Sequence, residues 1–206
     1  MELGTLKLIL VAPNPALAAA FREHFHYLPD VKVINDSFEA VSEYDCLVSP
    51  ANSFGLMDGG IDAAIIQYFG KELMIAVQDK ILAEYLGEQP VGSCLIVETK
   101  HPKHPFLAHT PTMRVPMSVN GTDIPYVAMW AMLLEIRRHN LHQKRQIETV
   151  ICPGFGTGIG KVPYTEAARL MALAYDHFVY PPTSINTFFA AERQLQIWEG
   201  GKSNKS

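Results

Sequence analysis

The 206 residues, 48% of them hydrophobic and 18% charged, suit one well-buried core in a single globular domain and exclude a disordered or coiled-coil chain. A formal net charge of −4, with no basic block, excludes a broad phosphate-backbone contact face, so nucleic acid is not expected as a partner except as a modified substrate. No apolar run approaches a bilayer span and no signal pattern opens the chain, so no membrane partner is expected and the cytoplasm is the expected location.

The elements follow in β-α alternation. Leu6 to Val11 is an apolar run that reads as a buried strand, and Ala12-Pro13-Asn14-Pro15 turns it into a helix over about Ala16 to Phe25. A strand at Val31 to Ile34 and another at Cys46 to Ser49 follow, then helices near Asp62 to Tyr68 and Glu72 to Tyr85. Strands are predicted at Ser93 to Glu98, Phe106 to His109 and Thr149 to Cys152, with helices near Pro125 to Arg138 and Tyr164 to Phe178. Pro181-Pro182 stops the last of these, and Asn186 to Trp198 reads as a final helix with Phe188, Phe189, Leu195 and Trp198 available for one apolar face. The fold class is α/β: a three-layer α/β/α sandwich around a central mixed sheet, filling residues 1–199, with a polar, disordered tail at 200–206.

Three loops after strand ends carry the residue types that bind ligands in such sheets. Asn35-Asp36-Ser37-Phe38 follows the second strand, and Ser49-Pro50-Ala51-Asn52 follows the third and runs on to Asp58-Gly59-Gly60-Ile61-Asp62. The loop after the last strand is Pro153-Gly154-Phe155-Gly156-Thr157-Gly158-Ile159-Gly160. Its four glycines alternate over seven residues, which exposes successive N–H groups to an anion; one or two glycines would indicate only a tight turn. Asp62 at the start of a helix is in itself an ordinary stabilising charge, but Asn52 ten residues earlier suggests a sugar-binding and acid/base pair. Lys161 lies beyond the glycines without the ending of a Walker loop, and the first turn lacks the Gly-x-Gly-x-x-Gly of dinucleotide-binding folds.

Other signals have ordinary explanations. Cys46, Cys94 and Cys152 sit singly in apolar runs and read as core thiols. His24 with His26, and His101 with His104, lack the third ligand of a zinc site, so no metal is expected. His109 reads as a core histidine, and Arg137, Arg138, Lys144 and Arg145 as a solvated helix terminus.

At the three loops, from about Val31 to Tyr175, the sequence resembles the macrodomain family. Asp45-Cys-Leu-Val-Ser-Pro-Ala-Asn52 is similar to that family's Asp-Ala-Ile-Val-Asn-Ala-Ala-Asn, and Asp58-Gly-Gly-Ile-Asp62 to its Gly-Gly-Gly-Val-Asp. Phe106-Leu-Ala-His109-Thr-Pro-Thr and Pro153-Gly-Phe-Gly-Thr-Gly-Ile resemble its Val-Ile-His-Thr-Val-Gly-Pro and Pro-Ala-Ile-Gly-Thr-Gly-Val. The resemblance implies that the chain binds ADP-ribose, needs no separate cofactor, and hydrolyses an ADP-ribosyl bond of a mono-ADP-ribosylated substrate or O-acetyl-ADP-ribose. A binding module without turnover and an ADP-ribose 1″-phosphate phosphatase are the alternatives.

Carried over by position, Asp36 would accept from the adenine amino group with Ser37 and Phe38 beside it. Asn52 would bind hydroxyls of the distal ribose, with Gly59, Gly60 and Ile61 lining its approach. The backbone of Gly154, Phe155, Gly156, Thr157, Gly158, Ile159 and Gly160 would hold the diphosphate. Asp62, assisted by Asn52, would orient or deprotonate the attacking water. Phe155, Phe188 and Phe189 are the candidates to stack on adenine. The chain departs from the family at Ser49, where the motif has asparagine, at Pro50, and at Met57-Asp58, where the hydrolase branch has glycines. Asp58 would disfavour a phosphorylated substrate or raise the pKa of Asp62. Residues 1–30 stand as an N-terminal β-α addition to which the motifs assign no role.

Overall fold

The computed structural model describes residues 6–199. Six strands form one sheet in the order β2-β1-β6-β3-β5-β4: β1 (Lys7–Val11), β2 (Val31–Ile34), β3 (Cys46–Ser49), β4 (Leu95–Glu98), β5 (Phe106–His109) and β6 (Thr149–Cys152). All pairings are parallel except β4 against β5, so the sheet is mixed. Residues of β3 and β5 are buried without alternation, because helices cover both faces of a parallel sheet.

Alternate side chains go to opposite cores. Cys46 and Val48 of β3 face the layer built by α1 (Pro15–Phe25), α4 (Ile124–His142) and α5 (Tyr164–Val179). Leu47 faces the layer of α2 (Gly60–Phe69) and α3 (Lys71–Tyr85), where Ile65, Leu73, Val77 and Ile81 are buried. The three-layer α/β/α sandwich is therefore the observed architecture. Asp45, the first residue of the third strand's motif, serves the sheet itself. Its Oδ2 accepts from the backbone N–H groups of Glu148 and Thr149, each at 2.9 Å, and so ties the start of β3 to the start of β6.

Several boundaries differ from the sequence reading. Ser93 does not begin β4, because its N–H and hydroxyl both donate to Pro90 O and close a turn. Helix α2 starts at Gly60 rather than Asp62, and α4 runs on to His142, whose Nδ1 bonds Arg138 O at 2.8 Å. In the first β-α unit, β1 lies inside the sheet between β2 and β6. The tail at 200–206 lies outside the described residues.

The last helix, α6 (Thr187–Glu199), forms where expected but docks differently. Phe188 is 77% exposed and Trp198 51%, so the four apolar residues do not make a buried face. Ile197 packs against the core, and polar contacts hold the helix beside it. Arg169 donates to Gln196 O and Ile197 O, His177 Nε2 pairs with Gln196 Oε1, and the Arg193 guanidinium lies over the Trp130 ring. Among the described residues no helix is long and apolar enough to cross a membrane.

Candidate functional site

The carboxyl ends of five adjacent strands, β2, β1, β6, β3 and β5, open onto one cleft of about 450 Å³. The three loops singled out from the sequence meet there. Ser37 and Phe38 line one end, Gly154, Gly156, Thr157, Gly158, Ile159 and Gly160 the middle, and Asn52, Gly59, Gly60, Ile61 and Asp62 the other end. Strand order dictates this sequence of sub-sites, since β6 lies between β1 and β3.

The first β-α unit also contributes, which the motifs did not reveal. Val11, Pro13 and Leu17 line the end of the cleft beside Ser37 and Phe38. Beyond β5, Thr112, Met113 and Pro116 line the opposite end. An apolar strand end followed by a Pro-containing turn is the only signal that marked the former, and such turns are common in any α/β fold.

The glycine loop is shaped for an anion. Gly156 adopts φ of +70°, and a Cβ on Gly160 would stand 2.5 Å from the Gly156 carbonyl oxygen, so neither position takes a side chain. Among the described residues none of the seven N–H groups from Gly154 to Gly160 donates to a protein acceptor, while the carbonyls of Gly156, Gly158 and Gly160 are engaged by Val162, Lys161 and Val119. The donors of the six that line the cleft thus remain available to a ligand. Among the described residues the charged ones that line the cleft are Glu39, Asp58 and Asp62, all acidic, so backbone dipoles are the means of holding a negative group.

Asp62 is 6% exposed and sits in the first turn of α2. Ser49 Oγ donates to its Oδ1 over 2.7 Å. Burial pushes its pKa from 3.8 to about 6; the Ser49 hydrogen bond opposes that rise and the neighbouring Asp58 carboxylate adds to it. The expected influence of Asp58 is present, but burial is the larger cause. Ser49 was visible in the sequence only as a departure from a motif.

Three placements differ from the family-based expectation. Asn52 lines the cleft, but Nδ2 donates to Leu56 O and Oδ1 accepts from the N–H groups of Phe54 and Leu56, so the side chain chiefly closes its own 52–56 turn. A single Nδ2 hydrogen remains for a ligand. Asp36 is exposed and does not line the cleft; its Oδ1 accepts from Ser37 N–H at 2.8 Å. Phe155 is fully buried in the α4/α5 core, and Phe188 and Phe189 are on α6, so none of the three proposed stacking rings lines the cleft. Phe38 does line it, yet its ring is 1% exposed and packs edge-on against Tyr68.

His109 lies outside the cleft and is fully buried. Its Nδ1 donates to Gln89 Oε1 at 2.7 Å, and burial lowers its pKa to about 3, so the ring is a neutral part of the core. The three cysteines are buried free thiols. His101 and His104 stack on each other, and His104 on Tyr44.

Comparison with known proteins agrees with this geometry. The Macro domain family model matches residues 48–171. A protein of Aquifex aeolicus is 34% identical over 142 residues, which are 69% of this chain and 78% of that one. Among solved structures, an Oceanobacillus iheyensis macrodomain variant with ADP-ribose superposes with a TM-score of 0.59 at 18% identity, covering 98% of this chain and 94% of that one. The macrodomain of Mycobacterium tuberculosis DarG gives 0.53 at 20% identity, covering 66% of this chain and 84% of that one. With loop order, sheet order and family model in agreement, the chain belongs to the macrodomain family.

Proposed function

We propose that the cleft binds ADP-ribose and that the protein hydrolyses ADP-ribosyl bonds, taking mono-ADP-ribosylated substrates or O-acetyl-ADP-ribose. The observation that carries this reading is the row of loop N–H groups without protein acceptors, on six residues that line the middle of a cleft with a buried carboxylate at one end. An extended ligand with a diphosphate at its centre fits that arrangement. Its base would lie against Val11, Pro13 and Leu17 and its distal ribose between Asn52, Asp62 and Met113. The Oceanobacillus iheyensis variant with ADP-ribose supports the choice of ligand.

In the hydrolytic step on a substrate esterified at the anomeric carbon, Asp62 takes a proton from water, and the resulting hydroxide oxygen bonds to that carbon. The bond from that carbon to the acceptor oxygen breaks, with its electron pair leaving on the acceptor carboxylate. Asp62 then returns the proton to solvent. A carboxyl with a pKa near 6 is ionised at neutral pH and is a stronger base than an exposed aspartate. Asn52 supplies one N–H toward the ribose. That limited supply favours a second reading, a module that binds ADP-ribose without turnover. The Asp58 carboxylate beside the site argues against the 1″-phosphate as substrate.

Calorimetry with ADP-ribose, AMP and GDP-ribose tests the binding. ADP-ribose is expected to bind at micromolar concentration, with AMP much weaker because it lacks the diphosphate; AMP binding as tightly would rule out the glycine loop as the anion site. Release of free ADP-ribose from a modified protein or from O-acetyl-ADP-ribose tests the hydrolysis, and its absence would leave the binding module.

A further inference from the structure

Ser49 is fully buried at the end of β3, where a hydroxyl needs a partner, and its Oγ donates to Asp62 Oδ1 over 2.7 Å. Among the described residues no protein donor reaches Asp62 Oδ2, and Asp62 lines the cleft. The two oxygens of the carboxylate are thus unequal: one is held from behind and the other is left to the ligand side. We infer that Ser49 is a positioning residue for Asp62, fixing the carboxylate plane through Oδ1 so that Oδ2 is the atom that receives the proton of the attacking water. The inference rests on reading the cleft as a hydrolytic site.

Among the described residues no other side chain supports the Asp62 carboxylate. Asp58, from the preceding loop, and Glu39, the other carboxylate lining the cleft, both carry charge of the same sign as Asp62. His109, the β5 register partner of Ser49, is neutral and turned to Gln89. Among the described residues no lysine or arginine lines the cleft. Among the described side chains acting on Asp62, the Ser49 hydroxyl is the one that favours its charged form, beside the N-terminal end of α2. A short hydroxyl at the strand end thus reaches a carboxylate in the first turn of the facing helix.

The test is a carbon-13 titration of the Asp62 carboxyl in the wild type, Ser49→Ala and Ser49→Thr, run beside pH–rate profiles and ADP-ribose calorimetry. In Ser49→Ala the midpoint is expected to rise, the acid limb of kcat to move up with it, and kcat to fall roughly 10- to 100-fold at unchanged ADP-ribose affinity. Ser49→Thr restores both. An unmoved midpoint in folded Ser49→Ala overturns the inference, and the titration reads it whether or not the protein turns over. If the midpoint moves but the wild type releases no ADP-ribose, the coupling of Ser49 to Asp62 stands and the hydrolytic reading falls.

Discussion

Burying a carboxylate opposes its ionisation, and Asp62, lifted from 3.8 to about 6, shows the effect at a single residue of the cleft. Because the folded-state value lies above the unfolded one, the folded protein holds the extra proton between about pH 4 and 6. Its stabilising contribution is complete below the unfolded value and is lost as pH rises through the folded one. Asp62→Asn, which keeps an acceptor for Ser49, should therefore raise the stability at pH 7 by up to about 3 kcal/mol, with the gain fading below about pH 4; urea melts at both pH values check this. The same group sets the rate. If Asp62 works as a base, kcat rises with pH through about 6, and Asp62→Ala loses roughly 10²- to 10⁴-fold in kcat with ADP-ribose affinity little changed. Removing the like charge with Asp58→Gly should move the acid limb of the profile downward. Asp62 and its ten-residue interval from Asn52 were legible in the sequence, whereas its partner was not. Spacing along a chain says nothing about which residue of a neighbouring strand faces the first turn of a helix.

The glycine loop shows how far a pattern carries and where it stops. Alternating glycines announce exposed amides, but not which glycines are needed by the backbone and which by the ligand. Gly156 combines a positive φ with a Cβ site 3.0 Å from Val162, so a side chain there disturbs the fold as well as the site. Gly158 lines the cleft and has nothing within 4 Å of a Cβ. Gly158→Glu should thus abolish ADP-ribose binding with the thermal midpoint little changed, whereas Gly160→Ala, pressed against the Gly156 carbonyl, should cost about 1 to 3 kcal/mol. Calorimetry and thermal melts on the two variants separate the roles. The strands were read closely because buried parallel strands leave short apolar runs. Helix α6 was read as apolar-faced because periodicity does not show that Arg169, His177 and Arg193 would provide the contacts.

At the scale of the molecule, the cleft and α6 are on separate elements, and this predicts separable behaviour. Arg169→Ala removes the donors to Gln196 O and Ile197 O and should speed hydrogen exchange across 187–199, with ADP-ribose affinity unchanged. Exchange measured by mass spectrometry decides it. The sandwich and its loop cluster followed from the β-α alternation, but the strand order did not, since parallel pairing is set by long-range packing rather than by local pattern. The position of β1 is an instance. Lys7 to Leu10 pair with Thr149 to Cys152 in the interior of the sheet, so the floor of the cleft joins the first strand of the chain to the last. A ribosome releasing this chain presents β2 and α1 to β1 early, but the other edge of β1 stays unpaired until β6 emerges more than a hundred residues later.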